Sequence, residues 1–349
     1  AELQRLTAES DLSNAKIFNA IECLNQRLSG GYAVVSLIAN HGLIGFRDPF
    51  GIRPLVLGKK TASDGFSSYM LASESCTLTS NGFELIRDVL PGEAIIISLT
   101  GELSSQICHA NPSLNLCIFE YVYLARPDSI MEQVPIQRAR RQMGKYLAKT
   151  IQKSHPNLAV DVVIAVPDLA RTVAIATADE LGKPYHEGFV KNHLMNNDDY
   201  TQNTAQSQAA TLSSLSPINL EFKDKNVLLV DISVVRGNNS REIISMVRAA
   251  GAKKVYFASA APKIQYSSVY GVDMPVYTQL IAHNRNDQQI AKKIGADLII
   301  YQTLADLKQA LRDINPELHN FEASCFDGYY ITQDIDENYL QSLANGVNH

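Results

Sequence analysis

The chain of 349 residues contains no tryptophan and no long apolar segment, and the lack of a long apolar segment argues against a membrane-spanning protein. Its apolar runs, such as Ala94–Ile97 and Val227–Val230, are far shorter than the roughly 18 residues that a transmembrane helix needs. No charged-then-apolar signal segment opens the sequence. We therefore expect a cytoplasmic protein with no membrane partner.

Cysteine is scarce as well. The five cysteines are scattered and include no CxxC pair: Cys23, Cys76, Cys108, Cys117 and Cys325. An odd number at such spacing excludes a disulfide framework. The eight histidines show no ligand spacing, so zinc is not expected.

A surplus of positive charge is also missing. Lysine and arginine total 31 against 36 aspartates and glutamates, which gives a net charge of -5. The isoelectric point is about 5.9. Proteins that bind a phosphate backbone concentrate basic side chains, so nucleic acid is not an expected partner.

Hydrophobic patterning divides the chain into two parts. Residues 1–28 have helical spacing, and short β runs broken by turn residues follow up to about residue 118. This spacing predicts an antiparallel sheet in the first part. After residue 118, apolar strands alternate with helices, which is typical of a parallel sheet covered on both faces.

The second part has two strand-to-helix junctions with polar residues, and ligands bind at such places in parallel sheets. The first runs from Ala165 to Arg171, and the second from Val227 to Ser240. In the second, Asp231 ends a strand and a turn rich in hydroxyl and amide groups opens a helix. One interpretation is a phosphate-binding loop whose carboxylate accepts hydrogen bonds from the hydroxyl groups of a sugar. The alternative is that Asp231 merely ends a strand and Ser240 caps a helix.

Several long motifs, in the right order, make the chain resemble the amidophosphoribosyltransferase family of Gram-negative type. The resemblance covers essentially the whole chain and rests on these segments: Arg47–Leu55, Ala72–Ser75, Phe119–Ser129, Gly182–Tyr185, Phe189–Asn192, Gly251–Tyr256 and Glu322–Tyr330. It implies an α/β protein of two domains. Residues 1–118 would be the second half of an Ntn-type glutaminase domain, and residues 119–349 a type I phosphoribosyltransferase domain.

The resemblance also implies a reaction. The family releases ammonia from glutamine with an N-terminal cysteine, then joins it to phosphoribosyl pyrophosphate with Mg²⁺ and loss of pyrophosphate. The family's nucleophile has no counterpart here, since the sequence opens with Ala1 and Cys23 lies in a predicted helix. We therefore expect no intact catalytic residue and no glutaminase activity from this chain as given.

The family's ribose and phosphate loop is altered. Its paired carboxylates are reduced to Asp231 by Ile232, and two phosphate-gripping hydroxyls become Asn238 and Asn239. We expect the loop to keep these ribose- and phosphate-binding positions: Asp231, Ser233, Arg236, Gly237, Asn238, Asn239 and Ser240. Asp231 is the one expected Mg²⁺ ligand, and only if phosphoribosyl pyrophosphate binds. Ile232 is expected to place an apolar branch beside a polar ligand, which costs desolvation.

Two further substrate-binding parts are altered. The pyrophosphate turn keeps Asp168 and Arg171 but has Leu169 and Ala170 between them. Arg171 then either holds a phosphate or is an exposed arginine at a helix start. Lys191 precedes the polar stretch 193–224, which corresponds to the family's basic substrate-closing loop. From residue 194 to 220 the only charged side chains are Asp198 and Asp199, so a polyanion would find no cation there.

Some family members bind an iron–sulfur cluster through four cysteines. Cys117 and Cys325 correspond to two of those positions, whereas Ser268 and Glu322 stand at the others. Two thiolates do not hold a cluster, so we expect none. Cys117 and Cys325 are then expected to be buried, small apolar residues.

Two hypotheses remain. The first is a working or ammonia-dependent amidophosphoribosyltransferase, favoured by Asp231, Arg236, Gly237 and Lys191. The second is a catalytically impaired relative that acts as a binding or regulatory protein, favoured by the losses at the substrate site. In both, purine nucleotide or phosphoribosyl pyrophosphate is the expected weak ligand. A second copy of the chain or a partner protein is expected to cover the shortened glutaminase part; the alternatives are a removed segment and a rearranged fold.

Overall fold

The computed structural model describes residues 12–191 and 215–345 of the chain. The helices of this part are α1 (Asn14–Asn25), α2 (Ser75–Ser80), α3 (Ile136–Ser154), α4 (Arg171–Leu181), α5 (Asn219–Phe222), α6 (Asn238–Ala249), α7 (Asp287–Ile294), α8 (Leu304–Arg312), α9 (Ser324–Asp327) and α10 (Glu337–Ala344). A π-helical turn at Glu120–Leu124 and a 3₁₀ turn at Tyr277–Gln279 are also present.

The strands are β1 (Ala33–Ile38), β2 (Gly42–Arg47), β3 (Val56–Thr61), β4 (Ser67–Ala72), β5 (Glu84–Asp88), β6 (Glu93–Ser98), β7 (Leu103–Ile107), β8 (Ile130–Met131), β9 (Val134–Pro135), β10 (Val162–Ala165), β11 (Phe189–Lys191), β12 (Leu215–Pro217), β13 (Asn226–Asp231), β14 (Lys254–Ser259) and β15 (Leu298–Tyr301). Among the described residues, no helix is both long and apolar enough to cross a bilayer.

The first part contains two antiparallel sheets where the sequence predicted one. Their strand orders are β1-β2-β6-β7 and β4-β3-β5. Strand β6 is apolar on both faces: Ala94 and Ile96 pack with α1, whereas Ile95 and Ile97 pack with β3 and β4. A strand that is apolar on both faces needs cover on both faces, so helix, sheet and sheet form three layers.

The second part is built on the predicted parallel sheet, with strand order β10-β13-β14-β15. Helices α3, α4 and α8 cover one face, and α6 and α7 cover the other. Gly144 lets α3 and α4 approach closely, because a Cβ at this position would lie 2.4 Å from the carbonyl oxygen of Val173. The fold class expected from the sequence is confirmed, namely antiparallel sheets followed by a parallel sheet between helices.

The motif Arg47–Leu55 forms a buried polar network between the two parts. The Arg47 guanidinium, 1% exposed, donates to the carbonyl oxygens of Arg53 (2.7 Å), Val89 (2.6 Å) and Gly51 (2.8 Å). It also donates to Glu132 Oε1 at 2.8 Å. These bonds fix the loop after β2 in one conformation.

Asp48 holds the same loop from the other side. Its carboxylate accepts hydrogen bonds from the backbone N–H groups of Phe50, Ile52 and Arg53, each at 3.0 Å, and from Tyr32 N at 3.3 Å. Burial raises the pKa of Asp48, and the N–H donors and Arg47 offset part of that rise. This motif is therefore structural in the described chain.

Some predicted elements have different bounds. The helix expected over residues 1–28 is observed as Asn14–Asn25, and residues 1–11 lie outside the described part. The sequence also predicts a strand over Tyr185–Val190; the observed strand is Phe189–Lys191, which pairs with Leu215–Pro217. Of the polar stretch 193–224, residues 193–214 lie outside the described part. The domain boundary at residue 118 stays a prediction.

Candidate functional site

Both predicted junctions lie at the same edge of the parallel sheet. Strand β10 pairs with β13, so that Ala165 stands opposite Val230, and Val166 N donates to the Val230 carbonyl oxygen at 2.8 Å. The loops that leave these strands therefore start side by side. This edge is the carboxyl end of the strands, where open α/β sheets bind ligands.

Asp231 ends β13 and stands half-buried at this edge. Its Oδ1 accepts a hydrogen bond from the N–H group of Ile232 at 2.7 Å. Burial raises the pKa of Asp231 to about 7, and the Ile232 N–H opposes only part of that rise. The carboxyl group therefore changes protonation near neutral pH. The affinity of a ligand that needs the charged carboxylate of Asp231 would depend most on pH in this range.

Ile232 does not face the ligand position, which corrects the expectation from the sequence. Its side chain is 2% exposed and packs in the large core with Leu228, Val230 and Ala258. Its carbonyl oxygen accepts from Ala261 N at 2.9 Å, which fixes the backbone beside β14. Ile232 therefore places no apolar group at this edge of the sheet, and Asp231 is the carboxylate that the loop presents there.

The loop after Asp231 leads directly into the N-terminus of α6. Gly237 is the residue before the helix, with φ +78°, and no side chain caps this helix end. The N–H groups of the first turn are therefore free of a capping acceptor, and Asn238 and Asn239 are exposed beside them. An uncapped helix N-terminus of this kind attracts phosphate. The alternative interpretation of Ser240 as the cap is wrong, because this residue lies inside the first turn and is 3% exposed.

Gly237 is needed for steric reasons as well. A Cβ atom on this residue would lie 2.2 Å from Ile281 Cδ1, and Ile281 is 1% exposed. Ile281 also contacts the loop through its backbone, because Ile281 N donates a hydrogen bond to the Val235 carbonyl oxygen at 2.9 Å. Nearby, the exposed Arg236 donates to Gln279 Oε1 at 3.2 Å and 3.3 Å. Ser233 is half-buried in the same loop.

Sequence reasoning missed Ile281 and Gln279. They lie about 40 residues after the loop and belong to no motif, so only the folded chain brings them to it. The signal in the sequence was Gly237 alone, since a glycine at a helix start indicates a backbone that a side chain would obstruct.

The turn after β10 presents less charge to a ligand than expected. The Arg171 guanidinium pairs with Glu187, with Nε 3.0 Å from Oε1. Arg171 is thus an exposed helix-start residue with a carboxylate partner. Asp168 is exposed and lies 4.0 Å from Lys191 Nζ through its Oδ2. Between Asp168 and Arg171, Leu169 is 39% exposed and Ala170 is 1% exposed.

The donor set at this edge suits Mg²⁺ only in part. Asp231 supplies one carboxylate, and the described residues contain no group of three or more His, Cys, Asp or Glu that could hold a metal ion. Mg²⁺ commonly binds one or two carboxylates and completes its shell with water and substrate phosphates. Asp231 therefore fits a metal that a phosphorylated ligand brings with it.

The residues at the family's cluster positions do not fit an iron–sulfur cluster. Cys117 and Cys325 are buried free thiols, and burial raises the pKa of both. Ser268 and Glu322 offer no thiolate; the Ser268 hydroxyl is buried without a hydrogen-bond partner in the described chain. Four thiolates are needed, so the donor set is insufficient. The expectation that both cysteines are buried, small apolar residues agrees with 1% exposure for Cys117 and 4% for Cys325.

The raised pKa of Asp231 gives the stability of the protein a pH dependence. The folded chain keeps this proton to about pH 7, whereas the ordinary value is 3.8. The stabilising contribution of the neutral carboxyl is complete below the ordinary pKa and is lost as the pH rises to 7. We expect the free energy of unfolding of Asp231→Asn, measured in urea and compared with that of the parent protein, to be larger at pH 8 than at pH 5. An equal difference at both pH values would contradict this.

The chain is similar to amidophosphoribosyltransferases along nearly its whole length. It is 47% identical to the enzyme of Escherichia coli over 327 residues, which are 94% of this chain and 65% of the relative. Identity to the enzyme of Haemophilus influenzae is 46%, over 97% of this chain and 68% of the relative. For the enzyme of Saccharomyces cerevisiae the identity is 43%, over 95% and 65%. The chain thus spans about two thirds of the length of these relatives.

Solved structures agree with these sequence comparisons. The phosphoribosylpyrophosphate amidotransferase of B. subtilis, complexed with ADP and GMP, has a TM-score of 0.78 and 30% identity, over 97% of this chain and 72% of that one. A structure described as the allosteric regulatory enzyme of purine biosynthesis has a TM-score of 0.80 and 30% identity, over 98% and 70%. No model of a protein family matches the chain. Similarity this extensive in both sequence and fold means that the chain belongs to the amidophosphoribosyltransferase family.

Proposed function

We propose that the chain binds 5′-phosphorylated ribose compounds, purine nucleotides or phosphoribosyl pyrophosphate, at the loop between β13 and α6, and that it transfers the phosphoribosyl group poorly or not at all. The observation that carries the binding is the uncapped N-terminus of α6 behind Gly237, next to Asp231. Such a protein would act as a binding or regulatory member of its family.

The loop offers a phosphate several donors. Backbone N–H groups at a helix N-terminus point toward the ligand, and the helix dipole adds a partial positive charge. The exposed amides of Asn238 and Asn239 are further N–H donors, although neutral ones. The B. subtilis relative was solved with ADP and GMP, which supports a nucleotide as ligand.

Transfer of the phosphoribosyl group needs charged contacts to the ribose and the pyrophosphate in addition to phosphate binding, and this chain has few of these contacts. Asp231 is the one carboxylate of the loop 231–240, and its pKa of about 7 leaves it only partly charged at neutral pH. In the sequence, the stretch 194–220 carries Asp198 and Asp199 and no lysine or arginine. A pyrophosphate therefore gains no attraction from that stretch, whatever its conformation.

A working transferase that takes ammonia from solution or from another protein is the second candidate. Asp231 at the end of β13, the retained Arg236–Gly237 turn and Lys191 near Asp168 favour it. Both candidates bind phosphoribosyl pyrophosphate, so binding alone does not separate them. Formation of phosphoribosylamine separates them, because only a working transferase catalyses it.

Calorimetry with GMP, and with phosphoribosyl pyrophosphate plus Mg²⁺, tests the binding. We expect Gly237→Ala to weaken both ligands about tenfold or more, because the Cβ forces the loop away from Ile281. Gly182→Ala is the matched control: Gly182 also has a positive φ of +63°, but a Cβ there meets nothing within 4 Å. Equal affinities for the parent protein and Gly237→Ala would reject the loop as the binding site.

We also propose that a second copy of the chain covers the open edge of the first sheet. Strand β1 pairs only with β2 among the described residues, and Val35 and Leu37 on it are 48% and 75% exposed. Exposed apolar strand edges invite pairing with another chain. Light scattering should give a dimer or larger species, and Leu37→Lys should dissociate it. A monomer at micromolar concentration would reject a second copy of the chain as the cover.

A further inference from the structure

A cavity of about 450 Å³ lies between the antiparallel sheets and the α/β part of the chain. Arg53 and Glu74 line it from the first part, and Glu120, Leu124 and Gly271 line it from the second. None of its lining residues belongs to the loops 165–171 or 231–240. The cavity is thus separate from the proposed phosphate site.

Arg53 has unused hydrogen-bonding capacity in this cavity. Its Nη2 lies 3.0 Å from Glu120 Oε1, an ion pair without the alignment of a hydrogen bond. Its Nη1 is buried and has no hydrogen-bond partner in the described chain. A buried donor without an acceptor carries an unrecovered desolvation cost, which a ligand acceptor would relieve.

The backbone of Arg53 is fixed, so the guanidinium is positioned in advance. Arg53 N donates to Asp48 Oδ2 at 3.0 Å, and its carbonyl oxygen accepts from Arg47 Nε at 2.7 Å. Gly31 leaves room for this segment, because a Cβ there would lie 2.8 Å from Ile52 Cγ2 and 3.3 Å from Arg53 Cγ. Groups held in place before binding lose less entropy when a ligand arrives.

Two carboxylates accompany this single guanidinium. Glu120 begins the π-helical turn, a kind of turn that occurs often at functional sites. Glu74 uses Oε2 to accept from Arg126 N (2.8 Å) and Ser129 Oγ (2.7 Å), so neither bond involves its Oε1. Burial raises the pKa of Glu120; Arg53 offsets part of the rise, whereas Glu74 adds to it. The cavity therefore has one positive and two negative groups.

We propose that this cavity binds a small zwitterion, an α-amino acid, with its carboxylate on Arg53 and its ammonium group between Glu74 and Glu120. A simple anion would satisfy Arg53 but meet two carboxylates. A simple cation would satisfy the carboxylates but leave Arg53 Nη1 without an acceptor. Only a ligand that carries both charges pairs with the guanidinium and with the two carboxylates. The cavity volume also admits a small side chain.

Calorimetry with three probes tests the proposal: L-alanine, acetate and methylammonium, each titrated into the full chain. We expect saturable binding of L-alanine and at least tenfold weaker binding of the two half-ligands. Arg53→Gln should weaken L-alanine about tenfold or more, and Arg141→Gln, an exposed arginine on α3, should leave it unchanged. GMP affinity should stay the same in both variants, so that failure here is distinct from failure of the phosphate site.

A second variant guards against loss of folding. Arg53→Gln leaves Glu120 without its cation, so thermal unfolding of this variant must be measured as well. Leu124→Trp keeps the ion pair and narrows the cavity at a residue that is 37% exposed, and it should abolish L-alanine binding with the fold retained. Equal binding of the three probes, or L-alanine binding that survives both Arg53→Gln and Leu124→Trp, would overturn the proposal, as would no binding by the parent protein.

Discussion

Replacing Ile232 by aspartate is expected to destabilise the protein by about 3–5 kcal/mol, even though the change brings the loop closer to its relatives. The Ile232 side chain is 2% exposed in the large core, among Leu228, Val230 and Ala258. An aspartate there would bury a charge among apolar side chains, directly after Asp231. The new carboxylate would therefore disturb the sheet before it could serve a ligand.

Urea unfolding of Ile232→Asp, beside Ile232→Val, measures this. The valine variant loses one methylene and should cost about 0.5–1.5 kcal/mol, as such core truncations do. Its small effect separates the cost of the charge from the cost of altered packing. If Ile232→Asp unfolds at the same urea concentration as the parent protein, the side chain at position 232 must face solvent or ligand, contrary to the structure.

Arg47→Met is the second substitution with a large expected effect, again about 3–5 kcal/mol of lost stability. It removes the donor to the carbonyl oxygens of Gly51, Arg53 and Val89 and leaves Glu132 without its cation. Burial together with Glu132 already raises the pKa of Asp88 to about 6, and Arg47 works against that rise. Loss of Arg47 should therefore raise the pKa of Asp88 further.

Thermal unfolding of Arg47→Met, with Arg126→Met as control, tests this expectation. Arg126 is 64% exposed and pairs with the exposed Asp128, so its loss should change stability little. Equal melting temperatures for the two variants would mean that the buried network contributes no more than a surface ion pair. That result would also weaken the argument that Arg53 is positioned in advance.

Much of the α/β part could be predicted from the sequence. The sequence predicts a helix over Arg171–Leu181 and a strand over Asn226–Asp231, and the observed α4 and β13 have these bounds. A periodic helix and a continuous apolar strand carry strong local signals. The antiparallel part was harder to predict. Strand β7 (Leu103–Ile107) is polar along most of its length and follows its hairpin turn at Gly101, so its pairing with β6 depends on tertiary contacts. The second sheet could not be predicted either, because it is defined by the packing of β3 and β4 against β6.

The candidate site was predictable only where local backbone determines it. The pattern of strand, glycine and helix predicts a helix after Gly237, but it predicts the helix from Ser240, two residues after the observed start at Asn238. The direction of the Ile232 side chain was predicted wrongly, because the resemblance aligns it with a ligand-binding carboxylate while its apolar character buries it. The pairing of Arg171 with Glu187, which lies 16 residues later, had no signal in the sequence. Long-range contacts of this kind arise from the fold.

We propose that the chain retains a phosphate loop but lacks the charges for efficient transfer. The most direct test is the rate of phosphoribosylamine formation from phosphoribosyl pyrophosphate, Mg²⁺ and ammonium, measured beside the Escherichia coli relative on a preparation shown to bind GMP. We predict a rate about a hundredfold or more below that of the relative, as the loss of charged contacts implies. A rate within about tenfold of the relative would show that Asp231 and a stretch 194–220 without lysine or arginine suffice for transfer, and would contradict the proposed function.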